Sequence, residues 1–200
     1  MADEITPVLV PGTGYIYVAT VGTEAPELVA NFDPKDPSKW GEEVKTLWKS
    51  IGNTSLDNGI EMASEGDEPE VLGSWQSKSL KTTNPAKKYS VTINLEDFTA
   101  ESFKLYYGTS KGLTDAGLFE IPTNPAAQDR ALLIVAVDGE KACVWHYPKV
   151  SIIGADAISI DPAALSEMPV KATVVAKDQS TPLGTVSPVF ELAKGVKPTP

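Results

Sequence analysis

Tyr89–Glu96 reads YSVTINLE, and its side chains divide by parity. Tyr89, Val91, Ile93 and Leu95 fall on one face of an extended chain, and Ser90, Thr92, Asn94 and Glu96 on the other, because successive side chains of a strand point to opposite sides. The pattern predicts a strand in an antiparallel sheet with one buried and one wet face. Val71–Thr82 is expected to pair with it as a long hairpin, turning through Thr83-Asn84-Pro85-Ala86-Lys87. Downstream, DFTAESFKLYYG (97–108) predicts one short flanking helix, over about 98–108. Thr99 suits the N-cap and Glu101 the positive helix end. Phe98 and Phe103 take the positions of a hydrophobic staple, and Gly108 is the stop. Phe103 and Tyr106 or Tyr107 are then available to plug one end of a sandwich.

Arg130–Asp138 (RALLIVAVD) is apolar on both faces, as expected of a central strand covered on both sides. Asp138-Gly139 is a hairpin signal, and Lys141–Ile153 returns from it. Further strands are expected at Gly14–Val21, Val44–Ile51, Met168–Lys177 and Val186–Leu192. Fifteen Gly and sixteen Pro in 200 residues imply many turns and few long helices. The chain is therefore expected to be one mostly β domain, an antiparallel β-sandwich or barrel-like fold. Two stretches lack regular patterning: Gly22–Glu43, with three prolines, and Gly52–Pro69, expected as an extended hairpin or flexible loop. Loops beyond about 12–15 residues are usually functional. The terminal GVKPTP is expected to be an arm.

Charge is unevenly distributed. Residues 1–43 hold eight acids and two bases, residues 61–70 five acids and no base, and residues 71–200 thirteen of each. The net charge of −10 argues against tight nucleic-acid binding, which needs Lys and Arg for phosphates. MADEITPVLV, with Asp3 and Glu4, does not read as an export signal. The longest apolar run, Ala131 to Val137, is too short for a membrane helix. One cysteine excludes an internal disulfide framework, and a reducing cytosol is the simpler folding environment.

Catalytic options are few, because the chain has a single His. Cys143 and His146 lie three apart on an expected strand, so they point to opposite faces and form no dyad. They are expected to be a small buried thiol and a half-exposed ring. No CxxC, HxxxH or HExxH spacing supplies a metal site. Asp57-Asn58-Gly59 with Glu61 and Glu65 lacks the alternating oxygens of a calcium loop and reads as a hairpin. Gly12-Thr13-Gly14 precedes a strand and is no phosphate loop. Tyr106-Tyr107 has no basic neighbours of a stacking platform. No catalytic, cofactor-binding or metal-binding set emerges, and the expectation is a structural protein that is not an enzyme.

VLGSWQSKSLKTTNPAKKYSVTINLEDFTAESFKLYYG (71–108) resembles the central segment of major tail tube proteins of long-tailed, non-contractile bacteriophages, the siphovirus major tail protein family. WHYPKVSIIGADAISIDPAALSEMPVKATVVA (145–176) is similar to that family's C-terminal signature. Together they cover about a third of the chain, and the likeness is strongest to phages of actinobacteria. The resemblance implies a self-assembling virion protein whose rings, hexameric in this family, stack into a hollow tube for DNA ejection. It implies assembly roles for the N-terminal arm (1–11), the loops 22–43 and 52–70 and the C-terminal arm (186–200). Implied partners are copies of itself and other tail proteins such as the tape measure, tail terminator and distal tail proteins. DNA would be met only in transit, with no membrane, no cofactor and synthesis in the host bacterial cytoplasm.

A DNA conduit is expected to carry little positive charge on its wall. Glu61, Glu65, Asp67, Glu68 and Glu70, or the polar face of Tyr89–Glu96 with Asn94 and Glu96, are therefore candidates to line the lumen. The alternative for the acids is a solvated outer loop. The main alternative function is an immunoglobulin-like or adhesin module decorating a larger assembly.

Overall fold

The computed structural model describes residues 8–41, 44 and 46–196. In chain order the strands are β1 (Thr13–Ala19), β2 (Lys49–Ser50), β3 (Ile60–Glu65), β4 (Val71–Leu72), β5 (Lys81–Thr82), β6 (Lys88–Leu95), β7 (Gln128–Asp138), β8 (Lys141–Gly154), β9 (Met168–Val174), β10 (Thr185–Val186) and β11 (Phe190–Glu191), with one α-helix, α1 (Ala100–Tyr107), between β6 and β7. The main sheet runs β2-β1-β7-β8-β9-β6-β3, and every pairing in it is antiparallel. The long β8 is shared along its second edge: β11 and β10 pair with its first half and β9 with its last five residues.

β7 fixes the layering. Its Leu132 and Ile134 enter one core with Ile16, Val91, Ile93, Leu95, Val150, Ile152 and Val170. Its Ala131, Leu133 and Val135 enter a second core with Tyr17, Phe32, Trp40, Trp48, Val144 and Phe190. Ile16 on β1 and Ile93 on β6 share the first core although three strands lie between them, a span of roughly 19 Å in a flat sheet. The sheet is therefore curled, and the fold is the barrel-like antiparallel architecture that the alternating segments predict. The described residues of 22–48 do not hang free. They pack Phe32, Trp40 and Trp48 over the outer face of β1, β7 and the first half of β8, with Trp40 stacked on Phe32 and edge-on to Tyr17.

α1 forms as its local signals require. Thr99 caps it by accepting from the Ser102 N–H, Phe98 meets Phe103 at 6.1 Å between ring centroids, and Gly108 ends it in the left-handed region at φ 59°. Leu105, Phe103 and Tyr106 close one end of the curled sheet. The Tyr106 hydroxyl donates to the Asp156 carbonyl at 2.7 Å.

Several expectations are corrected. Val71–Thr82 does not pair with β6; only its ends, β4 and β5, form strands, and they pair with each other. The partner of β6 is β3, inside the stretch expected as a loop, with Ile60 opposite Ile93 and Glu65 opposite Lys88. The reason is side-chain pattern: Ile60 and Met62 can continue the buried face of β6, whereas GSWQSKS has no such alternation. Val44–Ile51 contributes only β2, with Trp48 drawn into the second core instead, and Val186–Leu192 shrinks to parts of β10 and β11. Tyr89, expected inside, is exposed, and Ser90, expected outside, is buried. Part of the N-terminal arm (1–7), Glu42 and Glu43 of the first loop and the last four residues of the C-terminal arm lie outside the described residues.

His146 is buried rather than half-exposed, because the turn after β1 folds over it. Its Nε2 lies 2.9 Å from the Thr23 carbonyl and its ring meets Trp48 edge-on. Burial holds its pKa below the ordinary value of 6.5, against smaller opposing effects of the Thr23 carbonyl and Glu24. An unfolded chain would take up a proton near pH 6.5 that the folded chain refuses, so the folded state loses stability as pH falls below that value. The urea midpoint should drop from pH 7.5 to 5.5, and His146→Gln should flatten that slope; equal slopes in both proteins would refute the coupling.

Candidate functional site

The outer face of the sheet is divided. Over β1, β7 and the first half of β8 it is apolar and covered by Phe32, Trp40 and Trp48. Over β3, β6, β9 and the last part of β8 it is polar: Glu61, Glu65 and Thr173 are exposed, Thr92, Asn94, Ser151 and Lys171 half-buried, and Ser90 buried. Parity explains the division: Met168, Val170 and Ala172 point inward, which leaves Pro169, Lys171 and Thr173 outside. The same alternation puts Glu61 and Glu65 of β3 outside while Ile60 packs against the core.

Register assembles these side chains into rows. Glu61 lies opposite Thr92, Thr92 opposite Lys171 and Lys171 opposite Ile153. The next row runs Ala63, Ser90, Thr173, Ser151. Side chains directly opposite sit about 4.5–5.5 Å apart at Cβ, so each row is one continuous strip. Two opposite-charge pairs lie on it, and Glu61 stands apart from them. Lys171 Nζ lies 3.2 Å from Glu65 Oε1, and at the margin Lys149 Nζ lies 3.3 Å from Asp129 Oδ2. The face is a hydroxyl-rich wall with paired charge. Among the described residues no group of three or more His, Cys, Asp or Glu could hold a metal ion.

The seven candidate positions are only partly gathered here. Glu61, Glu65 and Asn94 share the wall, Asn94 being half-buried. Glu96 follows the end of β6, and its backbone N–H donates to the Asn53 carbonyl. Asp67, Glu68 and Glu70 leave the sheet with the β4–β5 hairpin, where the Glu70 N–H donates to Thr83 Oγ1 at 2.9 Å. Lys171, Thr173 and Ser151 belong to the wall and were not singled out from the sequence. The alternation of MPVKATV (168–174) was the signal that could have found the first two.

The remaining reactive groups are engaged inside the fold. The Cys143 thiol donates to the Ser187 carbonyl at 3.2 Å, and burial pushes its pKa up. The Asp57-Asn58-Gly59 turn is pinned by Glu167, whose carboxylate accepts from Ser55 Oγ and Asn58 Nδ2, each at 2.6 Å.

A family model for phage tail tube proteins matches residues 1–187. The chain is 34% identical over 200 residues to Major tail protein Gp23 of Mycobacterium phage D29, covering 98% of each chain. It is also 34% identical over 191 residues to Major tail protein Gp23 of Mycobacterium phage L5, covering 94% of each.

The two halves of the outer face should respond differently to substitution. Glu65→Gln breaks an exposed ion pair and should change the unfolding free energy by less than about 1 kcal/mol. Trp40→Ala opens the second core and should cost about 3–5 kcal/mol. Comparable losses in urea titrations would show that the polar wall supports the fold as much as the covered half does.

Proposed function

The chain belongs to the phage tail tube protein family, and from that membership we propose that its copies close into hexameric rings that stack into the hollow tube through which phage DNA is ejected. It is a structural component of the phage tail, as are the major tail proteins it resembles. The observation that carries the finer reading is the polar wall of β3, β6, β9 and β8, which ends in an open edge. β3 pairs only with β6, so the backbone donors and acceptors along its other side have no strand partner among the described residues. Proteins normally blunt or cover such edges. In a ring, the next copy would complete the ladder, and the curled sheets would join into one continuous inner wall.

The chemistry of the wall suits passing DNA. Hydroxyls of Thr92, Thr173 and Ser151 offer weak, exchangeable contacts. Lys171, the cation at its centre, is held by Glu65, so little positive charge is left to retain phosphates. Glu61 adds local repulsion. On this reading Glu61, Glu65 and Asn94 line the lumen, with Asp67, Glu68, Glu70 and Glu96 towards its margins. The segments 1–11 and 186–200 bridge copies, whereas 22–43 serves the fold of its own chain and 52–70 supplies the edge strand. Other tail proteins meet the tube at its ends and inside it, and the chain is made in the host cytoplasm before joining the virion.

Negative-stain and cryo-electron microscopy of assembled material, averaged with six-fold symmetry, is the direct test. The strip through residues 61, 92 and 171 should lie on the inner surface, and Glu61→Lys with Glu65→Lys should make the tubes retain linear DNA that wild-type tubes release. Tubes with this strip on the outside, or of another symmetry, would refute the respective part of the reading. A monomer that never assembles, even when seeded by tail fragments, would favour a decorating module.

A further inference from the structure

We propose that Asn58 is a latent modification site, set to deamidate through attack by the Gly59 backbone nitrogen, and that Glu167 is the latch that keeps it closed. The turn that carries it lies within one chain, so the site is independent of how copies assemble.

Deamidation begins when the nitrogen of the following residue attacks the asparagine Cγ. A C–N bond forms, the Cγ–Nδ2 bond breaks and ammonia leaves; water then opens the resulting succinimide to aspartate or isoaspartate. The reacting atoms must first be brought to attack distance, so the rate depends on how freely the side chain and backbone can turn. Glycine is the most permissive follower, because it has no side chain to obstruct the approach. Of the six Asn in the chain, Asn58 alone precedes Gly. Asn31, Asn53 and Asn94 precede Phe, Thr and Leu, and the other two precede Pro, which has no N–H to lose. Asn58 is also exposed, so water reaches it.

In the folded chain each group that the reaction needs is occupied. Asn58 Nδ2 donates to Glu167 Oε2 at 2.6 Å, which fixes the side-chain amide, since turned over it would set Oδ1 against a carboxylate oxygen. The Gly59 N–H donates to the Ser55 carbonyl at 3.2 Å, and the Asn58 N–H to Ser55 Oγ at 3.2 Å. Ser55 Oγ in turn donates to the second Glu167 oxygen at 2.6 Å. Both anchors are firm. Ser55 is buried, and its N–H donates to the Asn94 carbonyl on β6 at 2.9 Å. Glu167 exchanges two backbone bonds with Ser159, each at 2.9 Å. For Cγ to meet the Gly59 nitrogen, the Asn58 amide has to leave Glu167 and the Gly59 N–H has to leave Ser55.

The reaction would also destroy the latch. The product replaces the donor Nδ2 with an acceptor, so two carboxylates would meet where the 2.6 Å bond stood, beside exposed Asp57. Isoaspartate further inserts a methylene into the backbone two residues before Ile60, the first residue of β3. The strap 53–59 then loses its side-chain tie to Glu167. The first pairs of β3 with β6, Ile60 to Ile93 and Glu61 to Thr92, lose the fixed turn that leads into them.

Peptide mass spectrometry of chains aged in mildly alkaline buffer tests this, read as the amide-to-acid mass gain at residue 58. The wild-type chain should convert roughly tenfold more slowly folded than unfolded in urea, and Glu167→Ala should recover most of that difference while circular dichroism shows an unchanged fold. Glu167→Gln, which keeps one acceptor oxygen for the two donors, should fall between them. A Glu167→Ala rate equal to wild type overturns the latch; a slower one makes Glu167 a promoter of the attack and overturns it too. No conversion at residue 58 even in urea overturns the site. Where Glu167→Ala does not fold, Ser55→Ala, which cuts the Oγ links to Glu167 and to the Asn58 N–H, should show the same rise. Asn58→Asp, which carries one product, should lower the urea midpoint, and an unchanged midpoint overturns the loss of the strap.

Discussion

The structure depends on one strand being apolar on both sides. β7 sends Leu132 and Ile134 into the core inside the curl and Ala131, Leu133 and Val135 into the core outside it, all of them nearly inaccessible to water. A strand that is wet on one face would leave the aromatic cover of residues 22–48 with nothing to pack on. Because burial scales with apolar area, Phe32, Trp40 and Trp48 together account for much of the outer core's stabilisation. That cover in turn determines which part of the sheet stays bare. The polar wall is where the second apolar face ends.

This order of causes links the fold to assembly. A subunit of a polymer must be stable alone and still present unsatisfied surface. Here the two demands are met by different halves of the same sheet. The β1–β7–β8 half packs its outer face under Phe32, Trp40 and Trp48, with β10 and β11 pairing along β8. The β9–β6–β3 half buries only its inner face and ends in an edge strand of six residues. Substitutions in the first half act on folding, while those on the polar wall can act on assembly with little effect on the monomer.

Features written in local sequence were legible. The alternation of Tyr89–Glu96, the double apolar face of Arg130–Asp138 and the caps of α1 each depend on residues within a few positions, and each formed. The placement of β3 was not legible. IEMASE (60–65) has only two strong apolar residues, and its strand state comes from pairing with β6, some thirty residues away. Tyr89 and Ser90 show the limit of parity: it gives the side of the sheet, not whether cover reaches that far. Of the wall, Thr92, Asn94, Glu61 and Glu65 could be nominated from the sequence. Lys171 and Thr173 could not be joined to them without the register through β9. His146 was misjudged because the chain that buries it, the turn at Thr20–Thr23, is remote in sequence.

The sequence expectation for Val71–Thr82 failed in a way that carries information. A segment with Val71, Leu72, Trp75 and Leu80 has enough apolar surface to join the sheet, yet Ile60 and Met62 occupy the place beside β6. Its apolar residues are then left outside any core of the chain, on a ribbon whose residues 71–82 carry Lys78 and Lys81 and no acid. In a monomer with no other role this would be a liability, since exposed apolar patches invite aggregation. A contact surface turns the same feature to use if its partner is specific.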